Sequence, residues 1–264
     1  MNLITPEWHR LLYDLLHHGD EVAPRGKPTL ELPQRTITIG MRTPVLISPS
    51  RRLNYKFMAA EAYWILTGDN RVENIAPYNP NIAQFSDNGE TFFGAYGPPI
   101  QQQLPYVLAK LKEDPLSRQA GLTIWRQSPP ATKDVPCTVA IFATIRDQVL
   151  RLHAFMRSSD AWLGVPYDLF NFSMLSHMIC SRLNHDLAPS QQIVPGELHL
   201  TMASSHLYST NFDAAKMCLQ LAKHVDHILA PAELYQSTEA LLTTLGDLRT
   251  SKPGHYLRWW EGSR

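Results

Sequence analysis

The strongest constraint on the fold is a pair of short apolar runs, Thr138 to Ile145 and Val149 to Met156, separated only by the polar trio Arg146-Asp147-Gln148. Apolar runs of strand length with a polar break between them read as a β-hairpin. A hairpin centred near Asp147 sets Cys137 opposite Arg157, because each lies ten positions from that centre. A guanidinium beside a thiol favours the thiolate, which is the nucleophilic form. The run Arg157-Ser158-Ser159-Asp160 then adds two hydroxyls and a carboxylate. Arginine with serine hydroxyls is a common way to hold a phosphate. The pairing predicts an activated cysteine facing an anionic substrate. A register slip of one residue would turn Cys137 to the other face, where it would be one more small buried hydrophobe.

With 264 residues the chain can build one large domain with a substantial core. Lys plus Arg and Asp plus Glu balance at 24 each. No global field therefore draws it to nucleic acid or membrane, and any anion site must be a local cluster. The three cysteines, Cys137, Cys180 and Cys218, have no close spacing, which argues against a disulfide framework or a zinc site. His17-His18 and His224/His227 lack supporting ligands and read as helix-surface residues, so no metal is expected. Charged residues follow Met1 to Pro6 at once, and no apolar run reaches membrane-spanning length. A cytoplasmic protein is the expectation.

Thr5, Pro6, the stripe Leu11, Leu12, Leu15 and Leu16, and Gly19 predict an N-terminal helix capped by Thr5. A loop through Arg25-Gly26-Lys27-Pro28 leads to strand-like segments at Thr36 to Ile39 and Val45 to Ile47. Further helices are expected over Tyr55 to Leu66, Gln102 to Lys112, Leu169 to Leu183, Phe212 to His227 and Pro231 to Leu245. Short strands are expected at Gly121 to Trp125 and Glu197 to Met202. The Pro-, Asn- and Gly-rich stretch from Pro77 to Pro99 reads as a long surface loop. Together these give a single α/β (α+β) domain over 1–264, with a mainly antiparallel or mixed sheet, a buried central helix and a C-terminal extension from about 247.

Pro136-Cys137, the block from Arg157 through Ala161-Trp162-Leu163-Gly164-Val165-Pro166-Tyr167 to Asp168, and His206-Leu207-Tyr208 resemble the thymidylate synthase family in order and spacing. Glu61, Tyr96-Gly97 and Ser117-Arg118 also fall where that family places functional residues. The likeness runs from about Trp8 to Asp213. It implies that Cys137 attacks ring carbon 6 of a pyrimidine nucleotide, so that carbon 5 captures the one-carbon unit of 5,10-methylenetetrahydrofolate. It implies that Arg25, Arg157, Ser158 and a partner subunit's Arg118 hold the 5′-phosphate, and that His206 and Tyr208 bind the sugar. Asp160 and Gly164 would serve the folate, Glu61 would organise proton transfers, and Tyr96 would sit near the proton leaving carbon 5. A homodimer formed through the sheet follows from the same resemblance. Taken without it, Tyr96 could be a loop anchor, Asp160 a turn cap, Arg25 a solvated charge and Tyr208 simple packing.

Asp168 departs from the family's asparagine. An ionised carboxylate only accepts hydrogen bonds, whereas the amide offers one donor and one acceptor, as uracil requires. Asp168 can accept from the 4-amino group of cytosine and from its ring N3 once that nitrogen is protonated. The resemblance thus points to the deoxycytidylate (dCMP) 5-hydroxymethyltransferases of bacteriophages, which serve DNA modification in host cytoplasm. Two departures fit water capture: Asn81 to Asp87 lacks shielding tryptophans, and the chain ends Trp259-Trp260-Glu261-Gly262-Ser263-Arg264 rather than in an apolar lid. Gln119, Thr138 and Met156 also differ from the family, with Lys27 a candidate to replace the charge lost at Gln119. The alternatives are a CMP hydroxymethylase, a dUMP hydroxymethylase or thymidylate synthase, and a non-catalytic nucleotide- or RNA-binding member.

Overall fold

A computed structural model describes residues 4–48, 50–222 and 234–251. Helix α1 (Ile4–His18) buries Trp8, Leu11, Leu12 and Leu15 on one face, the stripe that helical spacing demands. Thr5 lies within this helix instead of capping it, and its hydroxyl bonds the backbone of Ile47. Gly19 ends the helix, its N–H reaching Leu15 O at 3.1 Å. Strands β1 (Asp20–Val22) and β2 (Thr29–Gly40) follow, joined through a 3-10 turn at Pro24–Gly26. Thr36 to Ile39 is thus part of a longer strand, while Val45 to Ile47 is buried but irregular.

Helix α2 (Tyr55–Leu66) begins at Asn54, whose side chain accepts from Phe57 N–H at 3.0 Å. A short helix α3 (Val72–Ile75) follows, and the stretch from Pro77 to Pro99 is less irregular than expected, since it holds a 3-10 turn, Pro80–Phe85. Helix α4 (Gly97–Glu113) starts five residues before its expected beginning, because Pro98 and Pro99 occupy a first turn that needs no N–H. The remaining elements are β3 (Gly121–Thr123), β4 (Thr138–Arg146), β5 (Val149–Met156), β6 (Ser159–Asp160), α5 (Val165–Leu183), β7 (Val194–Tyr208), α6 (Phe212–Leu221) and α7 (Thr238–Thr250). The last helix lies several residues beyond its expected start and is capped by the Ser237 side chain. His224, His227, the segment from 223 to 233 and the Trp259-Trp260 tail lie outside the described residues.

The sheet is mixed, in the order β1-β2-β7-β5-β4-β3, with β6 paired to the end of β7. All pairs are antiparallel except β5 with β7 and β6 with β7. One face carries Ile37, Ile39, Ile141, Ala143, Leu152, Ala154, Leu198, Leu200 and Met202, all buried. Helix α5 packs on the sheet and is itself buried along nearly its whole length. The opposite face carries Phe142 and Phe155, which remain exposed, and the stacked rings of His153 and His199.

Strand direction collects the site. The start of β4 and the end of β5 share one end of the sheet because they pair antiparallel. The end of β7 joins them because it runs parallel to β5, and the start of β2 because it runs antiparallel to β7. Cys137, Arg157, the His206–Tyr208 segment and the turn holding Arg25 are therefore brought together by topology alone.

Candidate active site

The hairpin turn is the two-residue Asp147-Gln148 pair, both with positive φ (53° and 61°), as a type I′ turn requires. Arg146 belongs to the strand. The geometric centre is thus between Asp147 and Gln148, which alone would set Cys137 against Ser158. A bulge at Val139 shifts β4 by one residue and restores Thr138 opposite Met156. Arg157 N–H accordingly donates to Cys137 O at 2.8 Å, and Arg157 Nη2 lies 3.5 Å from Cys137 Sγ. The same guanidinium donates to Pro136 O at 3.0 Å and Val135 O at 2.8 Å, which fixes its position.

The thiolate expectation needs correction. Burial pushes the Cys137 thiol up, Arg157 pulls it back, and Asp168 and Asp134 push it up again. Desolvation outweighs the single guanidinium at this distance.

Behind the cysteine sits a wall of polar groups. Tyr96 Oη accepts the Thr138 N–H at 3.3 Å, and its ring stacks on Phe172. Burial holds its hydroxyl protonated, reinforced by Asp168 and Cys137. Glu61, on α2, is partly buried. Burial raises its carboxyl to about 7, offset in part by a 2.8 Å bond from Asn171 Nδ2. Asp168, in the first turn of α5, accepts from Ser159 Oγ at 3.1 Å. A helix start normally favours a carboxylate. Here burial, followed by the nearby Glu61 charge, raises Asp168 to about 7.

The cationic end is more open. Ser158 Oγ and His206 Nδ1 lie 3.1 Å apart, and the His206 ring meets Tyr208 edge-on. Burial lowers the His206 pKa, and both Arg157 and Arg25 oppose its charge. Arg25 sits at φ 55° in the exposed turn, close enough to act on both His206 and Cys137. Lys27 lies 5.8 Å over the Tyr208 ring. Arg118 is not part of this cluster. It is exposed at the far end of α4, lining a separate surface hollow with Lys110, Ser117 and Gln119.

Asp160 does cap a turn: its Oδ1 accepts from Trp162 N at 2.7 Å and Leu163 N at 2.9 Å. Its Oδ2, however, is buried with no partner among the described residues. Gly164 lets the chain fold back on this turn. A Cβ there would stand 3.2 Å from Asp160 O and Ser159 Oγ and 3.4 Å from Asp168 Oδ2. Unpartnered buried oxygens recur around the site at Thr138, Asn171 and Ser205. Two residues escaped sequence reading. Arg51 donates to Trp162 O at 3.2 and 2.9 Å and lies 4.7 Å over the Trp162 ring. Asn171 was findable as a polar residue one turn beyond Asp168 on an apolar helix. Among the described residues no cluster of three or more His, Cys, Asp or Glu could hold a metal, and no helix is long and apolar enough to cross a membrane.

Residues 6–238 match the family model described as thymidylate synthase. A deoxyuridylate hydroxymethyltransferase of Bacillus phage SP01 is 29% identical over 227 residues, covering 77% of this chain and 57% of that protein. One of Pseudomonas phage M6 is 33% identical over 184 residues, covering 64% and 51%. A thymidylate synthase of Pseudomonas fluorescens (strain SBW25) is 27% identical over 202 residues, covering 66% and 68%. The chain spans just over half the length of the two phage proteins.

Proposed function

This chain belongs to the thymidylate synthase family, and on that premise we propose that it is a folate-dependent 5-hydroxymethyltransferase of a pyrimidine deoxynucleotide. The carrying observation is the Cys137–Arg157 pair, set beside the polar wall of Tyr96, Glu61 and Asp168. Cys137 adds to ring carbon 6 as its sulfur is desolvated and steered by Arg157. Arg25, Arg157, Ser158, His206 and Tyr208 hold phosphate and sugar at the open end. Methylenetetrahydrofolate, a co-substrate, supplies the one-carbon unit. The buried, unpartnered Asp160 Oδ2 suits a hydrogen-bond donor on its pterin, with Gly164 keeping that turn tight. Water capture in place of reduction is supported by the hydroxymethyltransferase names of the two phage relatives. The stretch Asn81 to Asp87, which holds no tryptophan and leaves Phe85 half-exposed, supports it too.

The base requires a revision of the sequence argument. Uracil is excluded only by an ionised Asp168, and burial makes that carboxyl neutral below about 7. A neutral carboxylic acid presents one donor and one acceptor, as the family's amide does. With that exclusion gone, the deoxyuridylate names of the phage relatives make dUMP the better-supported substrate. The second reading, dCMP, keeps a specific support. Cytosine N3 is a far stronger base than the uracil position 4 oxygen, so it shares the Asp168 proton better. Two arrangements favour a homodimer. The exposed sheet face with Phe142 and Phe155 suits a second copy, and Arg118, remote from Cys137 in its own chain, would reach the partner's phosphate.

The test is tritium release from carbon 5 of labelled dUMP and dCMP with methylenetetrahydrofolate, followed by product mass. Release with a gained hydroxymethyl group supports the proposal, and the faster nucleotide names the base. A methyl product, or release from neither nucleotide, overturns it.

A further inference from the structure

Asn171 has no role in the reading above, yet it is the most constrained polar side chain near Glu61. It is 4% exposed and projects from α5, three residues beyond Asp168 and so on the same helical face. Its Nδ2 donates to Glu61 Oε2 at 2.8 Å, while its Oδ1 has no partner among the described residues. A buried amide oxygen without a donor is costly. Such an atom is retained where a small donor completes it. The only donor-bearing reactant small enough to sit between this oxygen and Glu61 is water.

We propose that Asn171 seats the water that enters the hydroxymethyl product, holding it with Oδ1 while Nδ2 fixes the Glu61 carboxylate that takes its proton. The inference deepens the hydroxymethyltransferase reading and rests on it. The water oxygen bonds to the exocyclic methylene carbon on ring carbon 5. The π pair of that double bond moves into the ring as an enolate at position 4, and one water proton passes to Glu61. The enolate then collapses to the position 4 carbonyl, its carbon 4–carbon 5 π pair forming the carbon 5–carbon 6 double bond as the Cys137 sulfur leaves carbon 6, and the departing thiolate takes up the proton that Glu61 holds. Nothing is oxidised or reduced. Burial of Glu61 supports this role, since a carboxyl raised to about 7 accepts a proton more readily than an exposed one. Asn171 is therefore a positioning residue, and what it controls is the fate of the methylene carbon and not its formation.

The experiment compares Asn171→Ala and the isosteric Asn171→Leu with the wild type, using carbon 5-tritiated dUMP and dCMP, methylenetetrahydrofolate and 2-mercaptoethanol as a competing trap. Tritium release reports formation of the methylene, and hydroxymethyl product reports water capture. The wild type should give one product per tritium. Both variants should bind nucleotide, release tritium within threefold of wild type, and lose at least tenfold in the ratio of product to tritium. The thiol adduct should rise to match. The rising limb of their remaining product formation should also move to higher pH, since the bond from Asn171 holds the Glu61 carboxyl down. A ratio that stays at one in both variants overturns the inference alone. So does a loss of nucleotide binding, release and product together in both, which is what a merely structural asparagine would give. Absence of tritium release by the wild type overturns the underlying reading, and this inference with it.

Discussion

Arg157 grips Cys137 twice: its backbone N–H donates to the cysteine carbonyl at 2.8 Å, and its Nη2 approaches the sulfur at 3.5 Å. The two contacts require the same register, so the nucleophile cannot drift from its cation without breaking the end of the β4–β5 ladder. Because the cation is held by Val135 and Pro136 carbonyls as well, the cysteine can be altered without losing it. Cys137→Ser should lower tritium release by more than roughly 10³-fold, since a serine hydroxyl is a far poorer nucleophile than a thiol. Nucleotide Kd, measured by calorimetry, should stay within threefold. A serine variant with a tenth of wild-type release would remove Cys137 from the mechanism.

The hairpin arms were legible from their apolar runs, and Cys137 opposite Arg157 was the right pairing. The turn is centred half a residue later than expected, and the bulge at Val139 compensates. A bulge leaves no mark in apolar periodicity, because it depends on how two strands share a twist. Helix α2 was legible to the residue: the expected span, Tyr55 to Leu66, is the one the fold adopts. The thiolate was misjudged for another reason. Charge is visible in sequence, whereas desolvation is a property of packing, and at Cys137 desolvation is the larger effect. The same holds at Asp168, whose identity was plain but whose proton was not.

Asp168→Asn tests that proton in two ways. Its raised pKa means that the folded protein binds a proton there which the unfolded chain has released. Stability is thus fully present below about 4 and lost as pH rises toward about 7. At ~1.4 kcal/mol per pH unit, the loss is up to about 4 kcal/mol. The amide carries no such burden. Asp168→Asn should therefore raise Tm at pH 8 and leave it nearly unchanged at pH 4, as read by scanning calorimetry. It should also favour dUMP over dCMP at every pH, whereas the wild-type ratio of dUMP to dCMP use should fall as pH rises through 7. A wild-type ratio indifferent to pH would mean that Asp168 does not read the base.

Glu61 gives a pH limb of the opposite sense. Its carboxyl, raised to about 7 by burial, must be ionised to take a proton from water. Product formation should rise through 7 on its account and flatten above. Glu61→Gln should abolish that limb and lower kcat by roughly 10²–10⁴-fold, the usual span for a general base. KM for the nucleotide should change little, because no phosphate or sugar contact is lost. An intact rising limb in the variant would assign the titration to another group.

Tyr96→Phe separates anchoring from chemistry. Tyr96 Oη accepts the Thr138 N–H at 3.3 Å, next to the nucleophile. Deletion leaves the amide of the fully buried Thr138 without its acceptor, at a cost of about 1–3 kcal/mol. If Tyr96 only anchors the strand, stability and nucleotide binding should suffer while tritium release per bound nucleotide stays near wild type. If it also assists removal of the carbon 5 proton, release per bound nucleotide should fall at least tenfold. The second result is the expected one, since the same hydroxyl lies close enough to Cys137 and Asp168 to interact with both.

Asp160 offers the cleanest test of the folate side, because its two oxygens have separate tasks. Oδ1 closes the turn by accepting from Trp162 and Leu163 N–H groups, so an amide placed with its oxygen there preserves the fold. Oδ2 is the buried, unpartnered atom, and in Asp160→Asn it becomes an NH₂ that can donate but cannot accept. A pterin N–H aimed at that position would lose its acceptor and meet a donor instead. That unpaired contact is worth about 1–3 kcal/mol, or between fivefold and more than a hundredfold in binding. KM for methylenetetrahydrofolate should rise by at least fivefold, while Tm and the Kd for nucleotide stay close to wild type. Asp160→Ala removes both oxygens, so it should also lower Tm, and the contrast between the variants separates capping from recognition. Equal folate KM values for the wild type and Asp160→Asn would assign Asp160 to the turn alone and leave the pterin to be held elsewhere.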